Sequence, residues 1–138
     1  MSKVYVLDAC AVIAALSNEK GADKVAKIYS EAVLGNAKII MNIINLLEVY
    51  YGDYRVHGKE SADEMMKSII SSPTIINSEI TANIFAEAGR LKATYKISLA
   101  DSIALAQAKV ENAFLLTSDH HEFDVIEANE PIQFLWIR

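Results

Sequence analysis

A chain of 138 residues, 52% hydrophobic and 22% charged, is too apolar to be disordered and long enough to bury a core as one domain, residues 1–138. Five glycines and two prolines exclude long irregular loops and small all-β barrels. A net charge of −5 argues against a nonspecific nucleic-acid binder, whose footprint is normally basic.

The first apolar run, "KVYVL" (3–7), is short and β-branched and predicts a strand. Asp8 interrupts it and no small-residue cleavage site follows, so it reads as a strand and not as a secretory leader. No stretch approaches the length of a membrane span. Cys10 is the single cysteine. No intramolecular disulfide can form, which fits a reducing cytosol, and the residue is expected to be small and buried.

Further runs follow at "KIIM" (38–41), "TIIN" (74–77), "FLLT" (114–117) and "IQFLWI" (132–137). Each is nearly continuous in hydrophobicity, as strands covered on both faces are. Between them, stretches 9–35, 42–71, 78–95 and 98–112 carry a 3.6-residue apolar period with polar outer faces. Asp8, Asn42 and Ser78 stand where helix N-caps belong, and Gly35 and Gly58 near helix ends. The segment "HHEFDVIEANEP" (120–131) is the least regular and is expected to be a loop. Alternating strand and helix imply βαβ crossovers. The expected architecture is a three-layer α/β/α domain with a central, mostly parallel sheet of about five strands.

Four acids stand out against this map. Asp8 ends the first strand and Asp119 follows the fourth, so both belong at the carboxyl edge of the sheet, where open α/β folds place their ligands. Glu48 shares its helix face with Ile44 and Tyr51, and Leu47 lies beside it. Asp101, in "SLADSIALAQA" (98–108), has Ile97, Ala104 and Leu105 as helical neighbours, with Ser98 the polar exception. A carboxylate among such groups is expensive to bury unless it is paired or binds a metal. No Lys or Arg lies within a helical turn of Glu48 or Asp101. Singly, each acid has a structural reading as a cap or a stripe margin; together they call for a compensating cation. All-oxygen donors suit Mg²⁺ or Mn²⁺. Zinc would prefer His and Cys, but His120 and His121 are adjacent, point apart and have no partners to complete a set.

These pieces resemble the PIN-domain ribonucleases, in particular the VapC-type toxin subunit of VapBC toxin–antitoxin pairs. The matching segments are "VYVLDACAVIAAL" with Asp8, "IINLLEVYYG" with Glu48, "SLADSIALAQAK" with Asp101, and "FLLTSDHHEFD" with Thr117 and Asp119. They come in the family's order and span nearly the whole chain. One departure is that Ala9 and Cys10 stand where the family commonly has Ser, Thr or Asn, which removes a helper hydroxyl. The resemblance implies a Mg²⁺- or Mn²⁺-dependent endoribonuclease, with water activated at the ion attacking phosphorus in line. It implies Asp8, Asp101 and Asp119 as metal ligands, Glu48 as a ligand or an orienter of water, and Thr117 as the hydrogen bond that fixes the Asp119 loop. It further implies a cytoplasmic protein, RNA as substrate, an antitoxin partner and a homodimer.

Bound metal would reverse the sign that phosphate sees at the acids. Further grip on RNA would come from Arg55, His57 and Lys59 or from Arg90, Lys92 and Lys96, unless these are merely solvated helix faces. Tyr50, Tyr51 and Tyr54 are candidate anchors for a partner. Other readings are a PIN nuclease of RNA processing without a toxin role, and a noncatalytic nuclease-like module that binds RNA or protein. A haloacid-dehalogenase-type phosphotransferase would need an Asp where Cys10 stands. A receiver domain would need an extra acidic pair and a late-strand Lys, which are missing.

Overall fold

The computed structural model describes residues 3–138. Five strands, β1 (Lys3–Leu7), β2 (Ala37–Asn42), β3 (Thr74–Asn77), β4 (Phe114–Thr117) and β5 (Gln133–Trp136), form one sheet in the order β3-β2-β1-β4-β5. Every pairing is parallel, so the sheet is wholly rather than mostly parallel. Seven helices accompany it: α1 (Ala9–Leu16), α2 (Ala22–Val33), α3 (Ile43–His57), α4 (Lys59–Ser71), α5 (Ala82–Thr94), α6 (Leu99–Val110) and α7 (His120–Asn129).

The alternation of side chains along β1 sorts the two cores. Leu7 joins residues of α1, α2, α3 and α4 on one face of the sheet. Val6 joins α5, α6 and α7 on the other, where Phe123 and the run Ile103–Leu105 are buried. The result is the expected three-layer α/β/α arrangement. Among the described residues no helix is long and apolar enough to cross a membrane.

Four local expectations need correction. The helical stretch 9–35 is two helices, because Asn18 (φ +51°) and Gly21 (φ +100°) turn the chain between them. A Cβ at Gly21 would stand 2.6 Å from the Ile137 carbonyl oxygen, so only glycine lets this turn dock against the chain just after β5. The stretch 42–71 is also two helices, parted at Gly58, whose φ of +90° ends α3 and starts α4. Ser78 does not cap a helix. The Asn77 side chain accepts the Glu79 N–H in a turn, and α5 starts only after Thr81, whose hydroxyl accepts the Ile84 N–H. Finally, segment 120–131 is largely α7 and not a loop. Asp119 caps it by accepting the Glu122 N–H, and Phe123 and Ile126 fix its inner face. Asp8 and Asn42 cap α1 and α3 as their positions suggest.

Candidate active site

The chain leaves β1 toward β2 and β3 on one side, then returns to place β4 and β5 on the other. The carboxyl ends of β1 and β4 therefore flank the point where strand order reverses, the crevice in which such sheets bind ligands. The register pairs Leu7 with Leu116, which sets Asp8 beside Thr117. Asp8 is 2% exposed, and its Oδ1 accepts the Ala11 N–H at 2.8 Å, so one carboxyl both caps α1 and faces the crevice. The Thr117 hydroxyl, fully buried, hydrogen-bonds the Asp8 carboxylate and accepts the Asp119 N–H at 3.1 Å. Asp119 is half-buried and is itself the cap of α7.

Helices α3 and α6 bring the other two acids. Asp101 lies in the first turn of α6, where the Ser98 hydroxyl accepts its N–H and hydrogen-bonds its carboxylate. Glu48 is half-buried on α3. One turn earlier, the buried Asn45 amide donates to the Ala100 carbonyl at 3.0 Å, which ties α3 to the residue before Asp101.

The charge of Asp119 reaches each of the other three acids. Burial pushes the Asp8 carboxyl up to about 7, against the Thr117 and Ala11 hydrogen bonds, with Asp101 and Asp119 adding repulsion. Asp101 is pushed up to about 6, first by burial and then by Asp119, Glu48 and Glu122, although Ser98 opposes the shift. Glu48 is raised by burial and by Asp119. Among the described residues, none of the four forms an ion pair with a Lys, Arg or His.

Two participants escape a reading of the sequence. Glu122 adds to the field at Asp101, and its place in the first turn of α7 is visible only once 120–131 is known to be a helix. The spacing of Asp119 and Glu122, an acid cap followed three residues later by Glu, is the signal that could have shown it. Cys10 is half-buried rather than fully buried, and its thiol is pushed up to about 12 by desolvation and by all four acids. The thiol stays protonated in that field and is no nucleophile.

Does the donor set suit a divalent cation? Among the described residues, no three acidic, His or Cys side chains are gathered as a ready-made metal cage. The chemistry nevertheless fits a hard ion. The donors are all carboxylate oxygens, two are pushed up toward neutral pH by burial and by their fellow acids, and among the described residues no basic side chain pairs with them. Mg²⁺ usually keeps several waters and takes only one or two protein carboxylates, so a closed cage is not required.

The family profile of the PIN domain matches residues 5–129, which contain Asp8, Glu48, Asp101, Thr117 and Asp119. The chain belongs to the PIN domain family. Solved structures share its fold at low identity. A chain of the DNA-bound VapBC complex from Salmonella typhimurium aligns with a TM-score of 0.75 and 14% identity, covering 100% of both chains. A chain of VapBC2 from Rickettsia felis, bound to a DNA fragment from the promoter, gives 0.74 and 19%, covering 96% of this chain and 98% of that one. The sarcin–ricin-loop-cleaving toxin VapC20 of Mycobacterium tuberculosis gives 0.65 and 12%, covering 92% and 95%. No curated protein matches the sequence.

Proposed function

We propose that this PIN domain is a Mg²⁺- or Mn²⁺-dependent endoribonuclease and the toxin of a toxin–antitoxin pair. The observation that carries the reading is the group of four mutually repelling carboxylates, Asp8, Glu48, Asp101 and Asp119, at the sheet's switch point without a basic counter-ion. An apolar or hydrogen-bonded residue at each position would make a more stable fold, so the charge is retained for a ligand. Similarity to VapBC chains and to a toxin named for cleaving the sarcin–ricin loop supports the substrate class and the toxin role.

Asp8, Asp101 and Asp119 would hold the cation, with Glu48 as a further ligand or as the acceptor that orients water. The bound cation would supply charge stabilisation at the phosphate and make water a stronger nucleophile. The chain's own residues do the positioning. Thr117 holds the Asp8 carboxylate and the Asp119 backbone in register, and Ser98 holds Asp101. With two carboxyls titrating at about 7 and about 6, the free site binds protons in competition with metal.

An antitoxin that silences this site would answer its charge with an Arg or Lys laid against the acids. The apolar surface nearest the acidic helices fits such a partner. Ile13 and Leu16 of α1 and Leu47, Tyr51 and Val56 of α3 are exposed, whereas Tyr50 is tied to Asp63 and serves the α3–α4 packing. A cytoplasmic location and a homodimer complete the proposal.

The deciding experiment is cleavage of total cellular RNA by purified protein in Mg²⁺, Mn²⁺ or chelator, with sequencing of new 5′ ends. Cleavage that persists in chelator defeats the metal reading. RNA binding without any cleavage would make the protein a noncatalytic module.

A further inference from the structure

An acidic protein that acts on RNA must concentrate its positive charge somewhere, and the sequence points to 54–59 and 90–96. The structure spends much of that charge internally. His57 pairs with Asp53, Lys59 with Asp63, and Arg90 with both Glu87 and Glu130. Among the described residues, Arg55, Lys92 and Lys96 form no ion pair, and neither does a clustered group elsewhere: Lys3 on β1 and Lys24 and Lys27 on α2.

These three lysines line one cavity of about 490 Å³, within the size range of small-ligand sites. Its apolar lining comes from Tyr5, Ile28 and Leu135. Tyr5 stacks on Phe114 with centroids 5.7 Å apart, and the Lys3 ammonium lies 5.9 Å from the Phe114 ring centre. Lys24 donates one N–H to the Trp136 carbonyl at 3.1 Å and keeps two donors for another acceptor. Glu31 is the single acid in the wall. It stands one helical turn beyond Lys27, and among the described residues the two form no ion pair. Its charge is felt by the Tyr5 hydroxyl, which places it against the aromatic part of the cavity.

Cations, an aromatic floor and one hydrogen-bond acceptor make a composite site. A plain polyanion would use only the lysines and would be repelled by Glu31. A nucleotide uses all three parts: phosphate on Lys24 and Lys27, base against Tyr5, and a donor such as a ribose 2′-hydroxyl or exocyclic amine on Glu31. Along β1, Lys3 and Asp8 are five residues apart, roughly 16 Å at about 3.3 Å per residue. Lys24 meanwhile reaches the carboxyl end of β5, toward the acidic edge.

We propose that this cavity is a nucleotide subsite that holds an RNA strand at a point removed from the bond being cut. The proposal rests on the ribonuclease reading above and adds a binding site to it.

The test measures binding of a fluorescent single-stranded oligoribonucleotide in chelator as a function of salt, with wild type, the Lys24→Gln/Lys27→Gln pair and Lys3→Gln. Each lysine on a phosphate adds about 0.7 to the slope of log affinity against log salt for a single strand. The double variant should therefore lower the slope by about 1.4 and weaken binding at least about fivefold at low salt. Its melting temperature should match wild type. With Mg²⁺ present, KM for a long RNA should rise in the double variant while kcat stays put. Unchanged affinity and slope in the double variant would overturn the subsite while leaving the nuclease reading intact. Wild-type protein that neither binds nor cuts RNA would overturn both. If a mononucleotide binds in the cavity and an oligonucleotide does not compete, the site belongs to a free nucleotide and the strand-holding role falls.

Discussion

The Thr117 hydroxyl stands between two acids: it hydrogen-bonds the Asp8 carboxylate and accepts the Asp119 backbone N–H at 3.1 Å. One buried oxygen thus sets the spacing of the acids that end β1 and follow β4. Thr117→Val keeps the shape but leaves the Asp119 N–H without its acceptor and the Asp8 carboxylate with the Ala11 N–H alone. We expect a loss of about 1–3 kcal/mol in stability, because a backbone donor beside the buried hydroxyl is left unpaired. Cleavage should fall about 10–100-fold, the range for outer partners of metal ligands. Chemical denaturation and single-turnover cleavage check the two effects separately. Thr117→Ser, which keeps the hydroxyl, should recover most of the rate.

Asp101→Asn preserves volume and removes a charge from a repulsive group. Cleavage should drop by at least about 100-fold. The metal-free fold should be as stable as wild type or melt up to about 3 °C higher, since Asp101 is ionised at the expense of its neighbours. A variant that unfolds would instead show Asp101 to be structural. Calorimetry beside an activity assay distinguishes these results.

Divalent metal should stabilise as well as activate. Mg²⁺ or Mn²⁺ should restore cleavage after chelation, and Zn²⁺ should do so poorly. Ion at 100 times its dissociation constant adds about 2.7 kcal/mol to the native state. The melting temperature should rise with ion concentration in wild type, and much less in Asp101→Asn.

The pH dependence of the metal-free protein follows from the direction of the shifts. Asp8 and Asp101 keep their protons in the fold to about 7 and about 6, above their ordinary value of 3.8. Between about 4 and about 7 the folded chain holds more protons than the unfolded one, so stability falls as pH rises through that window. The metal-free protein should therefore melt higher at pH 5 than at pH 8. Saturating Mg²⁺ should reduce the difference, because the ion replaces the protons. Thermal melts at the two pH values, with and without Mg²⁺, are sufficient.

Partner binding should be separable from chemistry. Leu47→Glu or Tyr51→Ala on α3 should weaken capture of the antitoxin while sparing RNA cleavage, as read by copurification and by growth on co-expression. A partner stripped of its basic residue should still bind but inhibit poorly. If the wild-type chain alone never slows growth, the toxin role fails and the nuclease role can stand.

Much of this was legible in the sequence because strands buried on both faces show as unbroken apolar runs, and acids on apolar helix faces show as interruptions. All five strands are legible that way, Glu48 and Asp101 stand out as such interruptions, and Asp8 and Asp119 stand out by their places at the ends of strands. The breaks within 9–35 and 42–71 were missed because a 3.6-residue period runs through a turn when the next helix packs on the same face; only the backbone at Asn18, Gly21 and Gly58 reveals the stop. Helix α7 is hard to read because "HHEFDVIEAN" has only four apolar residues in ten and no long apolar stripe, and two buried side chains, Phe123 and Ile126, are enough to hold it. The lysine-lined cavity was invisible because Lys3 and Lys24 are brought together only by the crossover from β1.

The adjacency of β1 and β4 has a consequence for biosynthesis. Asp8 and its neighbour Asp119 are more than a hundred residues apart along the chain, and the two meet only when β4 docks beside β1. Such long-range pairing carries the largest loop-closure cost and comes late. A ribosome-bound chain that has reached only β3 holds Asp8 and Glu48 but neither of the other acids. The group of four acids therefore cannot assemble on a chain that stops short of β4.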